Sequence, residues 1–350
     1  MQGNKLIDYF NDVKKVYNSI SDDISRKIYL AKLQWVIDRN EKDFLLSVEN
    51  TEAISDWIFK LHKFISDADN SIVMFGAGND GRLFHKFLQR HDINASIKFC
   101  DNNKSLQGSL IDGIEVLAPV ELIQAYKASA IVITTTGYSN QIKNQLINMN
   151  ISEKRIMVLE PYLIQYFDVW QPVEQEIFLD AGCYDCATAI KFTQWCNNEY
   201  QFIYAFEPSK KSALHCMQVI GSYPIKNIHL INKGLWNKSD IMFFGNEDQG
   251  FSIDHRGDER IEVTSIDNAL QGKKVTFVKM DIEGSEMEAL IGASETIKRH
   301  KPRIAVCIYH KPMDVLDIPS FLLHLVPEYR FYLRHYSFDM RETVLYAYIP

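Results

Sequence analysis

Asp180, Glu207, Asp281, Glu283 and His310 each stand at or just past the end of a short apolar run. The runs are Ile177-Phe178-Leu179, Phe202 to Phe206, Val275 to Met280 and Arg303 to Tyr309. In an open parallel sheet, ligands bind beyond the carboxyl ends of the strands. Those strand ends and the loops after them bring the polar groups to one rim. A carboxylate there can accept hydrogen bonds from a ribose, face a cation or take a proton, and an imidazole can act as a base. Any one of these residues alone reads equally well as a solvated loop residue. For His310 the plain alternative is a strand-end histidine bonded to a loop carbonyl. Read for catalysis, His310 is the first candidate base and Asp281 the second.

The elements that must position these groups are legible around residue 180. A strand ends in Asp180-Ala181-Gly182, which turns the chain, and Ala187 to Trp195 can carry a helix. The next strand ends on Glu207. A strand, a small-residue turn, a helix and a second strand ending in an acid is the start of a nucleoside-binding α/β layer. Cys183-Tyr184-Asp185-Cys186 offers a rival, because a CxxC at a helix start is also a redox arrangement. No second CxxC exists, so no metal set is expected. Downstream, Gly245 to Glu259 reads as an exposed polar loop, Asp281-Ile282-Glu283-Gly284-Ser285-Glu286 as a strand-to-helix turn, and Tyr329 to Leu333 and Val344 to Tyr348 as closing strands. Arg334 and His335 follow one of these and are candidates for binding an acceptor, with structural roles the expected reading for both.

A second unit precedes this one. Ile72 to Phe75 is a strand, and Gly76-Ala77-Gly78-Asn79-Asp80-Gly81 leads into a helix. GxGxxG between a strand and a helix fits nucleotide phosphates. Asp101, at the end of the next strand, matches the expected ribose-binding acid. Five strands are expected over 71–159, making a small parallel sheet. Gly76, Gly78, Gly81 and Asp101 are therefore candidates for a second nucleotide or substrate site, against the alternative of a turn kept only for the fold. Residues 1–67 read as a helical lead-in, with Asn50 as a helix cap, 68–160 as the nucleotide-binding-type domain, 161–175 as a proline- and aromatic-containing linker, and 176–350 as the second domain.

The 350 residues are enough for two cores. A 46% hydrophobic and 24% charged composition is that of an ordinary water-soluble chain. The net charge of -7 argues against a nonspecific nucleic-acid binder. No apolar run reaches the roughly 20 residues of a membrane span. Six cysteines do not make a disulfide framework in so long a chain, and a cytoplasmic location is expected.

The stretches FLDAGCYDCAT (178–188), YAFEPS (204–209), VTSIDNAL (263–270) and VKMDIEGSEMEALIGA (278–293) resemble the FkbM-type methyltransferase family. The resemblance covers about half the chain. It implies an α/β class I methyltransferase fold, Rossmann-like, with a seven-stranded mixed sheet whose last strand is antiparallel. Before it the sequence gives a smaller Rossmann-like parallel-sheet domain and the helical segment. The family implies S-adenosylmethionine as cofactor and methylation of a sugar hydroxyl or a natural product. Carried over, Asp180, Gly182 and Cys183 shape the loop around the methionine part, Thr188 supports that turn and Glu207 holds the ribose. Ser265 and Asp267 lie toward the adenosine end, and Asp281 and Glu283 border the sulfonium. Cys186 departs from the family, which has glycine there. The expected partners are a small-molecule acceptor, with a nucleotide-activated sugar or glycan as candidate, and a second copy of the chain. A nicotinamide-dependent oxidoreductase is the competing enzyme, but no catalytic tyrosine-lysine pair can be placed. A non-catalytic nucleotide-binding scaffold is the third reading.

Overall fold

The computed structural model describes residues 2–49, 52–124, 126, 128–135, 138–159, 165–223, 225–247, 250–254 and 259–350. Asn50, Pro161 and the first residues of the expected linker lie outside them. The chain forms two compact units. One comprises Met1–Arg39, Ile164–His335 and Arg341–Pro350; the other comprises Asn40–Leu163 and Tyr336–Met340.

Helices α1 (Gln2–Asn18) and α2 (Asp23–Asp38) belong to the first unit, whereas α3 (Glu41–Glu49) and α4 (Glu52–Ser66) belong to the second. The division therefore runs through the segment read as one lead-in. The reason is in the side chains. Asp22 caps α2 and pairs with Arg334 at 2.7 Å, and Ser25 Oγ accepts a hydrogen bond from the Leu333 amide at 2.8 Å. Trp57, Leu61 and Ile65 of α4 recur at helical spacing and pack with Ile72, Phe84 and Phe87 instead.

In the second unit the strands are β1 (Ser71–Phe75), β2 (Ser96–Cys100), β3 (Leu110–Ile111), β4 (Ile114–Leu117), β5 (Ala130–Ile133) and β6 (Ile156–Val158). Their order is β3-β4-β2-β1-β5-β6, all parallel but for the β3–β4 hairpin. The five expected strands are present, and β3 is added as a two-residue edge. Helix α5 (Asn79–Arg90) follows the glycine turn, and α6 (Pro119–Gln124) and α7 (Ser139–Asn148) complete the layers.

The first unit continues with β7 (Glu176–Ala181), α8 (Ala187–Trp195), β8 (Tyr200–Phe206), α9 (Lys210–Ser222), β9 (Ile228–Ile231) and β10 (Gly234–Leu235). Next come β11 (Asp240–Glu247), β12 (Gly250–Asp254), β13 (Glu259–Thr264), α10 (Ile266–Leu270) and β14 (Phe277–Met280). The chain closes with α11 (Glu286–Ile291), α12 (Ser294–His300), β15 (Arg303–Cys307), α13 (Asp314–Leu325), β16 (Arg330–His335) and β17 (Thr343–Tyr348). Seven strands form one sheet, ordered β16-β17-β15-β14-β7-β8-β9, with only β17 antiparallel to its neighbours. This is the expected mixed seven-stranded sheet. The stretch expected as an exposed loop differs, because β11 and β12 pair from Phe243↔Asp254 to Glu247↔Gly250. They form a small separate sheet with β13 and β10. Phe251 and Ile253 do alternate with Ser252 and Asp254, but so short a run inside a polar stretch is a weak strand signal.

Strand β7 lies between β14 and β8, while its own connection leads through α8 to β8 only. The order reverses there, so the crevice beyond the carboxyl ends of β7 and β14 is the switch point at which such sheets bind ligands.

Candidate active site

At the switch point Gly182 turns the chain with φ +79°, and a Cβ there would lie 2.1 Å from the carbonyl oxygen of Asp281. Only glycine lets these two strand ends approach so closely. Asp180 and Lys279 are register partners on β7 and β14, both buried, with Lys279 Nζ 3.2 Å from Asp180 Oδ1. Nζ also donates to the Gly182 carbonyl at 2.8 Å. Burial raises the Asp180 carboxyl above its ordinary value while Lys279 opposes the shift. Burial lowers Lys279, but Asp180 and then Asp281 outweigh it and hold the ammonium above its usual range. The pair fixes the turn from beneath.

Glu207, buried at the tip of β8, accepts from the Tyr184 amide at 3.0 Å and from the Ser209 amide at 2.9 Å. One bond falls on each carboxylate oxygen, so each keeps a second acceptor site. Burial pushes its pKa up to about 7, with the two amides opposing. The resemblance expects Glu207 to accept from both hydroxyls of a ribose as well as from the two amides, which favours the ionised form. The apparent affinity for S-adenosylmethionine should therefore rise about tenfold from pH 6 to 8, following the ionised fraction, and lose that dependence in Glu207→Gln. Calorimetric titration across that range checks it, and a flat profile in the parent protein would argue against Glu207 at the ribose.

Beyond β14, Asp281 accepts hydrogen bonds from Tyr166 Oη and Tyr309 Oη, both at 3.1 Å. Glu283 and Gly284 take left-handed conformations, with φ of 54° and 89°, and fold this turn back. His310 faces three carboxylates. Its Nδ1 is 2.9 Å from Glu286, and its Nε2 is 3.3 Å from Glu283 and 3.6 Å from Asp281. Burial lowers the imidazole pKa, but Glu283, Glu286 and Asp281 together raise it to about 10. The three carboxylates thus favour the imidazolium form of His310, which has no lone pair for a proton.

Other expected residues have local duties. Thr188 lies in the first turn of α8. Ser265 caps α10 through the Asn268 amide, and Asp267 accepts from the Glu295 and Thr296 amides at the start of α12. Arg334 pairs with Asp22, and His335 bonds Thr343 at 2.9 Å. Cys183 and Cys186 are buried, and Cys186 stands before α8 with φ 63°. That left-handed backbone is the reason a glycine suits the position. The Cys183 thiol, then that of Cys216, lowers the Cys186 thiol against burial. Four residues at the site were not read from sequence. Tyr166 falls in the expected linker, Lys279 interrupts an apolar run, and Tyr309 and Glu286 adjoin residues that were singled out. Their only signal was position beside the strand-end motifs.

In the other unit, Asp101 accepts from the Ala77 amide at 2.8 Å, repeating the acid-to-turn bond of Glu207. A Cβ at Gly81 would lie 2.0 Å from the Gly76 carbonyl oxygen, so glycine closes helix onto turn. Gly76, Gly78, Asp101, Thr135 and Tyr138 line a cavity of about 560 Å³.

The methyltransferase FkbM domain model matches residues 180–340, and a C2185-like N-terminal domain model matches residues 68–157. A comparison with curated proteins finds no match. Among solved structures, methyltransferase FkbM from Methylobacillus flagellatus KT aligns over 93% of this chain and 99% of its own, at 17% identity and a TM-score of 0.50. A putative methyltransferase from Streptococcus mutans, solved with SAH, aligns over 50% of this chain and 88% of its own, at 13% identity and a TM-score of 0.33. Fibrillarin from Aeropyrum pernix, with natively bound S-adenosyl-L-methionine, aligns over 51% and 69%, at 13% identity and a TM-score of 0.32. Among the described residues no helix is long and apolar enough to cross a membrane. Residues 180–340 thus carry the match to the methyltransferase FkbM domain, and the Methylobacillus flagellatus structure has a similar fold.

Proposed function

We propose that this FkbM-type methyltransferase domain methylates a hydroxyl group on a sugar or sugar-linked small molecule, with Asp281 as the proton acceptor. The observation that carries the reading is Asp281 at the β7–β14 switch point, held by two tyrosine hydroxyls beside an imidazolium. The donor set fits the cofactor. Glu207 has acceptor sites for a ribose diol, and Asp281 and Glu283 supply negative charge for a sulfonium. When bound, S-adenosylmethionine supplies an electrophilic methyl group with a neutral thioether as leaving group.

The protein's part is mainly positioning, because a displacement at carbon needs donor and acceptor in line. A hydroxyl acceptor must also lose its proton. An ionised carboxylate has about four acceptor sites; the two tyrosines occupy two of them on Asp281 and leave room for the acceptor hydroxyl. The His310 imidazolium sits among Asp281, Glu283 and Glu286 and offsets their repulsion, keeping them together at one turn. This assigns His310 a positioning role and moves the base to Asp281.

The Gly76–Gly81 turn and Asp101 line a cavity of a size that suits a nucleotide. We assign it to a nucleotide ligand. Six buried free cysteines agree with a reducing compartment, and we place the protein in the cytoplasm.

The test uses S-adenosylmethionine with an isotopically labelled methyl group and a panel of nucleotide-activated sugars and glycans. Label recovered as an ether of a sugar hydroxyl is the expected result. Label recovered only on nitrogen or carbon, or none above the Asp281→Asn background, would overturn the assignment of the acceptor.

A further inference from the structure

Cys183 and Cys186 occupy the turn between β7 and α8, and Cys216 reaches the same place from α9. The three sulfurs lie within 4.8 Å of one another, with 3.8 Å between those of Cys183 and Cys216. All three side chains are buried, among Ala189, Ala205, Ile228 and Leu230. The third sulfur comes from about 30 residues downstream on another helix, so CxxC spacing alone does not reveal the set.

The geometry has a simple ionic counterpart. An ion with three sulfurs at about 2.3 Å in a plane sets those sulfurs about 4 Å apart. The observed spacing needs only small side-chain rotations to reach that. Cys186 adds a separate argument. It holds a left-handed backbone, makes no side-chain hydrogen bond to cap α8, and yet is not glycine. That conformation is strained for a non-glycine residue, and the sulfur is what the position gains in return.

We propose that Cys183, Cys186 and Cys216 form a trigonal thiolate site for one soft, closed-shell cation of the Cu(I) class. A sulfur-only donor set selects soft ions over magnesium, calcium or manganese. Three ligands rather than four favour Cu(I) over Zn(II), whose structural sites are tetrahedral. Binding forms three metal–sulfur bonds, the thiol protons leave to solvent, and no electron is transferred. The ion would join α9 to the turn that carries Tyr184, whose amide Glu207 accepts.

The experiment is an anaerobic titration of the reduced full-length protein with Cu(I) against a chromophoric Cu(I) chelator. One ion per chain should be withdrawn from the chelator, with X-ray absorption showing three sulfur neighbours. Cys186→Gly removes a ligand and installs the residue best suited to the backbone, so the fold should survive, as thermal unfolding will report. It should weaken Cu(I) binding at least 100-fold, and Cys216→Ser should do the same. Cys196→Ser, outside the cluster, should change it less than threefold. Failure to compete with the chelator, affinity unchanged in Cys186→Gly and Cys216→Ser, or displacement of Cu(I) by equimolar Zn(II) would each overturn the proposal.

Discussion

Asp281→Asn is expected to lower turnover by about 10²–10⁴-fold, the usual contribution of a positioned general base, and to leave S-adenosylmethionine affinity within a few-fold. The change keeps the side chain's shape. It replaces an acceptor-only carboxylate by a group with one acceptor oxygen and a donor amide. Tyr166 and Tyr309 each lie 3.1 Å from a different carboxylate oxygen, so one of them must turn away or reverse its hydrogen bond. The acceptor hydroxyl then meets no group able to take its proton. Turnover by rapid quench and cofactor affinity by calorimetry separate the two effects. Turnover within tenfold of the parent would move proton removal to Glu283 or to water.

Lys279→Met should have the largest effect on stability. Removing one partner of a buried ion pair leaves an uncompensated charge and typically costs about 3–5 kcal/mol. Asp180 and Lys279 qualify, with side chains 0% and 4% exposed. The variant should also change its pH response. Burial already raises the Asp180 carboxyl, and without the ammonium it will rise further. An acid whose folded pKa exceeds its unfolded one favours the folded state most when protonated. The deficit of the variant should therefore shrink as the solution is acidified and grow as pH rises through the folded pKa. Urea unfolding from pH 5 to 8 measures this. A loss below about 1 kcal/mol throughout, or a deficit independent of pH, would show that the pair does not hold the turn.

Much of the sheet could be read because its central strands are short apolar runs ending in small or acidic residues. That pattern fixed Asp180, Glu207 and Asp281 at strand ends, and the structure puts them there. The parts that escaped depend on distant neighbours. Tyr166 stands in an aromatic stretch with no periodicity, and only the folded chain brings its hydroxyl to Asp281. A lysine inside Val275 to Met280 gives no sign of an aspartate across the register. His310 shows the limit most clearly. An imidazole at a strand end reads as a base, but its charge is set by Glu283, Glu286 and Asp281 around it. Ile241 to Phe244 reads as a hairpin strand, but its partner β12 is hard to read because Phe251 and Ile253 are one short alternation inside a polar stretch.

The attachment of α2 to β16 bears on how the protein is made. Ser25 meets Leu333, and Asp22 meets Arg334, across more than 300 residues of sequence. A ribosome delivers the chain from the N-terminus, and domains fold as they emerge. The segment 40–163 has nearly all of its own unit in hand early, lacking only residues 336–340. Helix α2 has no such option, because its partner residue Leu333 on β16 lies 308 positions further along the chain. This helix must therefore wait for β16, and the unit it belongs to is completed only after β16 has emerged. Such widely separated contacts slow folding, since the loop between them must close first. A fragment beginning near residue 170 would lack that clasp altogether, leaving the β16 side of the unit uncovered.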